Sequence, residues 1–202
     1  MLGAEKEGTT MNILIDPGHG GSDQGACANG MREADYVLAT AHYLKDYLWA
    51  AGHVAHLTRA GDHALGPDKR TDLAARCAIE QSWKPDLFLS LHCNAFIETG
   101  AHGFEVWTSP GQTRSDIAAE CIINAFSKAF PDRVLRRDFS DGDQDKEAKF
   151  YVLTGTKGPA VLVELGFLTN KNEAIWLNEK QIEIVKALAA GVDLCIGKMA
   201  LS

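Results

Sequence analysis

Short apolar runs alternate with longer amphipathic segments along most of the chain. The short runs are bounded by turn residues, which predicts strands at 12–16, 53–59, 86–92, 103–109, 149–155 and 159–167. In the segments between them apolar residues recur at helical spacing, which predicts helices at 33–50, 73–83, 115–130 and 180–197. Residues 131–149 are polar and show no periodicity, so we predict a loop there.

This alternation is typical of an α/β fold. The run at 86–92 is apolar at nearly every position, as expected for a central strand that is covered on both faces. We therefore predict a single domain with a mostly parallel, twisted sheet and helices on both faces. The 202 residues contain no repeat or linker that would mark a second domain. We expect the domain to span 12–197, with a flexible lead-in at 1–11 and a tail at 198–202.

The composition excludes several kinds of partner. Apolar residues make up 46% of the chain and charged residues 23%, as is usual for a globular protein. The formal net charge of −7 provides no basic surface for nucleic acid. No apolar run reaches the ~18 residues that membrane insertion requires. Five cysteines, without CxxC spacing, favour a reducing compartment over a disulfide framework.

Residues of the kind that bind metals stand at the carboxyl ends of the predicted strands. His19 follows the first strand, His92 ends the third, and Glu164 ends the apolar run PAVLV. Glu33 begins the first helix, on the segment that leaves His19. Ligands of open α/β sheets bind at this edge, so we expect the four side chains to converge there.

Each of these residues has a simpler explanation when it is taken alone. A single buried histidine is more often a core residue than a ligand, and a carboxylate such as Glu33 is favoured at any helix start. Glu164 is harder to explain in this way, because an unpaired carboxylate inside an apolar run is costly. Glu164 therefore needs either a partner that compensates its charge or a functional role.

The remaining candidates are weaker. Successive strand residues point to opposite faces, so Cys93 should not reach an ion that His92 binds. Among the other histidines, His53 and His56 face apart in a predicted strand, and His42 lies within a predicted helix. His63 and His102 lie in predicted loops. Of these we expect only His102 to be near enough to the predicted edge to contact a substrate.

The four converging residues suit a catalytic metal. Two histidines and a carboxylate leave a fourth tetrahedral position for water, as in catalytic zinc sites. A second carboxylate nearby can then accept the proton of that water. Imidazole donors favour Zn²⁺ over Mg²⁺, whereas Fe²⁺ uses the same ligand types, so the residues alone leave iron open.

Four stretches resemble the zinc-dependent N-acetylmuramoyl-L-alanine amidases of the type 3 class: ILIDPGHGG, the position of Glu33, DLFLSLHCNA and AVLVELGFLTN. The likeness covers about 12–197. It implies that His19, Glu33 and His92 bind zinc and that Glu164 is the catalytic carboxylate. The implied substrate is bacterial peptidoglycan. The bond cut is the amide between the lactyl group of N-acetylmuramic acid and the L-alanine of the stem peptide.

The resemblance also sets expectations about regulation and setting. Some members carry a regulatory helix between the second histidine and the final glutamate, but 131–149 is short and lacks an apolar stripe, so we expect no autoinhibition. Asn94 lies in the HxNA turn and is expected to be structural. The lack of a signal peptide at 1–11 or of a wall-binding repeat, together with free cysteines, fits a phage or prophage endolysin. Such a protein stays in the cytoplasm until a holin permits its release to the cell wall.

Alternative functions remain open at this stage. A host cell-wall remodelling amidase would carry the same residues, and a zinc peptidase would share the ligand chemistry. A phosphate-binding module built on GHGGSDQG is less favoured, because that loop lacks the GxGxxG and GxxxxGK[ST] patterns. An inactive wall-binding domain is disfavoured by the presence of all four site residues.

Overall fold

The computed structural model describes residues 10–199. The helices of this part are α1 (Glu33–Ala50), α2 (Lys69–Trp83), α3 (Arg114–Ala129), α4 (Tyr151–Gly155), α5 (Lys171–Glu179) and α6 (Gln181–Cys195). The strands are β1 (Asn12–Pro17), β2 (Cys27–Ala28), β3 (Met31–Arg32), β4 (Val54–Leu57), β5 (Leu87–Asn94), β6 (Glu105–Thr108), β7 (Lys146–Glu147) and β8 (Ala160–Phe167).

The main sheet has six strands in the order β4-β1-β5-β8-β6-β7. All neighbouring pairs are parallel except β6 and β8, which are antiparallel. β2 and β3 form a separate hairpin, in which Asn29 and Gly30 have positive φ angles (50° and 79°), as a type I′ turn requires. Because β1, β5 and β8 are adjacent and parallel, their carboxyl ends meet at one edge of the sheet.

Alternate residues of the central strands face two hydrophobic layers. Ile13 and Ile15 belong to the larger layer, together with residues of α1, α3 and α6. Leu14 and Phe88 point to the opposite face, where α2 and α4 cover a smaller layer. The predicted fold class is therefore confirmed: one α/β domain with a mostly parallel sheet and helices on both faces.

The predicted strand at 149–155 is wrong, because Tyr151–Gly155 forms helix α4. Aromatic and β-branched residues favour strands intrinsically, but tertiary packing overrides this preference. Val152 and Leu153 are both buried in the smaller layer. Successive residues of a strand point to opposite faces and would not share one layer.

Helix boundaries differ from the prediction where capping residues set them. α2 begins at Lys69 because Asp68 and Thr71 form a capping box, in which each side chain accepts from the other residue's backbone N–H. The C-terminal helical region is two helices rather than one. The additional helix, α5, begins after Asn170, whose side chain accepts hydrogen bonds from the N–H groups of Asn172 and Glu173.

The predicted loop at 131–149 is largely irregular, but its end forms β7 at the edge of the sheet. The predicted lead-in and tail lie mostly outside the described residues. Met11 and Met199 both pack in the larger hydrophobic layer. Between residues 10 and 199, none of the helices combines the length and the apolar character needed to cross a lipid bilayer.

Candidate metal centre and active site

A glycine-rich turn carries His19 from the end of β1 to the edge of the sheet. His19 itself has a φ of 60°, in the left-handed region that residues other than glycine rarely adopt. Such strained positions persist only where the surrounding structure enforces them. A Cβ on Gly18 would lie 2.2 Å from the His92 ring, so only glycine fits between the turn and that histidine.

Two buried arginines hold this turn in place through hydrogen bonds to backbone carbonyl groups. Arg59 donates through Nη2 to the carbonyls of Gly18 (2.7 Å) and Ala34 (3.0 Å). Arg76 donates through Nη2 to the carbonyl of His19 at 2.7 Å. Their hydrogen bonds to the backbone fix the direction in which His19 points.

A buried ion pair anchors Arg76 to the end of β1. Its Nη1 donates to Asp16 Oδ1 at 2.8 Å, and Thr58 and Ser90 donate to the same carboxylate. Burial alone would raise the pKa of Asp16, but the Arg76 charge and these hydrogen bonds hold it below the usual value. Sequence analysis missed this support; the signal was an aspartate directly after the apolar run of β1.

Glu33 is the first residue of α1 and directly follows the β2–β3 hairpin. Its side chain is buried, and Oε2 accepts a hydrogen bond from the Ala26 N–H at 2.8 Å. Oε1 accepts from the N–H of Cys93 at 3.0 Å. A Cβ on Gly25 would lie 2.5 Å from Glu33 Oε2, so that glycine lets the hairpin close on the carboxylate.

His19, Glu33 and His92 converge as predicted. His19 Nε2 lies 3.1 Å from Glu33 Oε1, and His92 Nδ1 lies 3.0 Å from the same oxygen. One ligand-type atom from each residue lies within 4.8 Å of the others. The opposite ring nitrogen of His19, Nδ1, lies 3.0 Å from Asp23 Oδ2. Sequence analysis missed Asp23, which carries no motif of its own.

The charges of Glu33 and His19 are interdependent. Burial would raise the pKa of Glu33, but hydrogen bonds from His19 and His92 outweigh it and hold that pKa far below the usual value. Burial would lower the pKa of His19, but Glu33 and Asp23 together raise it. A strongly ionised carboxylate between two imidazoles is a donor set that fits Zn²⁺.

Glu164 lies beside this group, and no residue in the described part of the chain forms an ion pair with it. On β8 it is the register neighbour of His92 on β5 and of Glu105 on β6. Arg136 and Lys146 both form ion pairs with Glu105, whereas Glu164 Oε2 is buried without a hydrogen-bond partner among the described residues. Burial, together with the charges of Glu33 and Glu105, raises the pKa of Glu164 well above its usual value.

The weaker candidates lie elsewhere. His53 is buried between the Met11 N–H and Asp193, and His56 packs edge-on against Trp83. Neither His42 nor His63 belongs to the group of His19, Glu33 and His92, and the ring of His42 bonds the carbonyl of Ala60. Cys93 is buried, and burial raises the pKa of its thiol well above the usual value, which makes it a poor nucleophile.

A cavity of about 430 Å³ opens over His19, Glu33 and His92. Lys69 and Leu73 of α2 form one side of it, and Tyr151 and Val152 of α4 form another. None of its lining residues comes from 131–149. His102 lies instead in a neighbouring groove, which meets the cavity at Asn94.

Asn94 forms hydrogen bonds with three parts of the fold, and its structural role stays a prediction. Its Nδ2 donates to Glu105 Oε2 at 3.2 Å, and its Oδ1 accepts from the Ala95 N–H at 2.8 Å. Its carbonyl accepts from the N–H of Leu168. These contacts hold the end of β5 against β6 and the segment after β8.

Fold and site together define an α/β domain with a two-histidine, one-carboxylate centre at the carboxyl edge of its sheet. The chain belongs to the N-acetylmuramoyl-L-alanine amidase family, whose model matches residues 13–193.

Individual relatives agree with this assignment. The chain is 37% identical to N-acetylmuramoyl-L-alanine amidase CwlM of Bacillus licheniformis, over 90% of this chain and 65% of that protein. It is 33% identical to the endolysin of Bacillus phage SPP1, over 89% of this chain and 64% of that protein. The chain thus spans just under two thirds of the length of these relatives. The crystal structure of an N-acetylmuramoyl-L-alanine amidase from Clostridium difficile 630 superposes with a TM-score of 0.80 at 25% identity, covering 91% of this chain and 95% of that one.

Proposed function

We propose that this chain hydrolyses the amide bond between the lactyl group of N-acetylmuramic acid and the L-alanine of the peptidoglycan stem peptide. The observation that supports the proposal most strongly is the convergence of His19, Glu33 and His92 beside an uncompensated Glu164, in a member of the amidase family. All four residues line the cavity of about 430 Å³ above the sheet edge.

His19, Glu33 and His92 would hold the zinc ion. When bound, zinc supplies Lewis acidity, which polarises the amide carbonyl and brings the pKa of water towards ~7. The Ala26 and Cys93 N–H groups orient the Glu33 carboxylate, and Asp23 Oδ2 lies within ion-pair distance of His19 Nδ1. These contacts preorganise the donor set before any ion binds.

Glu164 would carry the proton. Its buried Oε2 has no fixed partner within the described residues, and with a cation bound nearby, which favours the ionised carboxylate, this oxygen could accept a proton from the attacking water. The same oxygen can return that proton to the amine of L-alanine as the bond breaks. Glu105 lies beside Glu164 but is neutralised by Arg136 and Lys146, which makes it the less suitable base.

The products of the reaction test this proposal against a zinc peptidase. The purified chain, loaded with zinc and without any activator protein, should release intact stem peptides with a free L-alanine amino group from peptidoglycan. Mass spectrometry of the muropeptides identifies that cut. Cleavage between amino acids, or equal activity on peptides that lack muramic acid, would assign the site to a peptidase. A requirement for an activator would contradict the expected lack of autoinhibition.

Asp23 provides a test of the zinc proposal. Asp23→Ala should weaken zinc binding by ~10–100-fold, because it removes the carboxylate that lies 3.0 Å from His19 Nδ1. Competition with a chromophoric zinc chelator measures the affinity. Asp46→Ala, at an exposed position of α1, makes the same charge change away from the site and should bind zinc normally. An unchanged affinity for Asp23→Ala would remove Asp23 from the zinc site.

The biological setting is a further part of the proposal: an endolysin that remains in the cytoplasm until a holin releases it. The phage SPP1 endolysin supports this setting, while the Bacillus licheniformis amidase supports a bacterial wall enzyme to the same extent. Expression of residues 1–202 followed by cell fractionation distinguishes the two for this chain. Its appearance outside the cytoplasm without lysis or a holin would contradict the endolysin setting, and would leave the amidase chemistry intact.

A further inference from the structure

A second group of acidic residues lies away from the candidate active site. Asp116, Asp143 and Asp145 each place one carboxylate oxygen within 4.8 Å of the others. Asp116 belongs to the first turn of α3, whereas Asp143 and Asp145 lie directly before β7. The amidase chemistry described above makes no use of these residues.

Two of the three aspartates are buried, and no positive charge among the described residues compensates the group. Asp145 is only 2% exposed and Asp116 only 7%. Asp145 Oδ1 and Asp143 Oδ1 are both buried without a hydrogen-bond partner in residues 10–199. In the same part of the chain, none of the three aspartates takes part in a salt bridge. Three neighbouring carboxylates without a cation are costly to bury.

Donor groups of neighbouring residues each form a hydrogen bond with one oxygen of these three carboxylates. Thr108 Oγ1 donates to Asp145 Oδ2 at 2.6 Å, and Gln112 Nε2 donates to Asp143 Oδ2 at 2.8 Å. The Thr113 N–H donates to Asp116 Oδ2. Burial, the close approach of the Asp143 carboxyl group and the charge of Asp116 together raise the pKa of Asp145 to about 7.

We propose that Asp116, Asp143 and Asp145 bind a Ca²⁺ ion. An all-oxygen donor set suits hard cations rather than zinc. Oxygens that bind one Ca²⁺ at ~2.3–2.6 Å lie at most ~5 Å apart, which agrees with the observed spacing. Mg²⁺ requires shorter bonds and a near-octahedral arrangement of ligands. Carboxylates contributed by a helix and a loop suit the more variable coordination geometry of Ca²⁺ better.

Calcium at this position would connect parts of the chain that lie next to the active site. It would join the start of α3 to the segment that leads into β7. β7 pairs with β6, and the chain continues from β7 directly to Phe150 and Tyr151, which line the active-site cavity. The ion would therefore stabilise the irregular region 131–149 and the wall of the cavity that follows it.

Thermal unfolding of the zinc-loaded chain with and without millimolar CaCl₂ tests the proposal. The melting temperature of the unmodified chain should rise by roughly 5–10 °C when calcium is ~100-fold above its dissociation constant. Isothermal titration should give one calcium ion per chain. MgCl₂ at the same concentration should have a much smaller effect.

Variants show whether the aspartates are responsible. Asp145→Asn should melt no lower than the unmodified chain in the absence of calcium, because it removes a buried repulsive charge, and it should gain nothing from calcium. Asp143→Asn, at a less buried position, provides the same test if Asp145→Asn does not fold. Asp141→Asn changes an exposed aspartate of the same segment and should respond to calcium like the unmodified chain. The absence of a calcium response in the unmodified chain, or an equal response in all variants, would overturn the proposal.

Discussion

Replacing His92 by alanine is expected to leave the purified chain with far less than one zinc ion and with no measurable amidase activity. His92 Nδ1 and His19 Nε2 approach the same oxygen of Glu33, so the variant loses one of two imidazole donors. Removal of an outer partner of a metal ligand typically costs ~10–100-fold in affinity, and loss of the ligand itself should cost more. Metal analysis after dialysis against a weak chelator measures the stoichiometry.

The matched control is His42→Ala. His42 is an exposed histidine of α1 whose ring bonds the carbonyl of Ala60, and neither residue lines the cavity. This variant should retain one zinc ion and full activity. If His92→Ala retained stoichiometric zinc, His92 would no longer count as a ligand. If both variants lost zinc, the effect would reflect general destabilisation rather than coordination.

Much of the site could be predicted from the sequence because it depends on strand ends. His19, His92 and Glu164 each follow an apolar run, and parallel strands bring such positions to one edge. Glu33 could be placed because it opens a strongly periodic helix. The local sequence pattern was sufficient to predict a site residue where one short segment determined both the strand or helix and the position of the side chain on it.

The features of the site that could not be predicted depend on contacts between segments that lie far apart in the sequence. Glu105 and Glu164 are neighbours only because β6 packs antiparallel to β8, which no local pattern indicates. Asp116 meets Asp145 for a similar reason, since the segment before β7 returns to the start of α3. Helix α4 was mistaken for a strand because its composition favours strands, while burial of Val152 and Leu153 in one layer decides its conformation.

Some missed features did have local signals. The pair Asn29–Gly30 is typical of a type I′ hairpin turn and indicates the β2–β3 hairpin that delivers Glu33. Asp68 and Thr71 have the spacing of a capping box and indicate the earlier start of α2. These signals are short and common in loops, so the longer hydrophobic pattern dominated the prediction.

Glu164→Gln is expected to lower the rate of amide hydrolysis by ~10²–10⁴-fold while zinc remains bound, since glutamine keeps the shape of the side chain but cannot accept a proton. The variant should also remain stable. The folded-state pKa of Glu164 lies above its usual value of 4.5, so the fold favours the protonated form. The metal-free chain therefore loses stability as pH rises from the unfolded value towards the folded one, and glutamine removes that loss.

Three measurements on Glu164→Gln separate catalysis from structure: zinc content, the melting temperature of the metal-free chain at neutral pH, and the turnover of muropeptides. The expected result is unchanged zinc, an unchanged or higher melting temperature and lost turnover. Glu179→Gln makes the same substitution at an exposed position of α5 and should be indistinguishable from the unmodified chain. A loss of activity smaller than ~10-fold would assign the base to another residue, since a general base contributes at least ~10²-fold. A large drop in melting temperature would instead make Glu164 a structural residue, because its uncompensated Oε2 predicts the opposite.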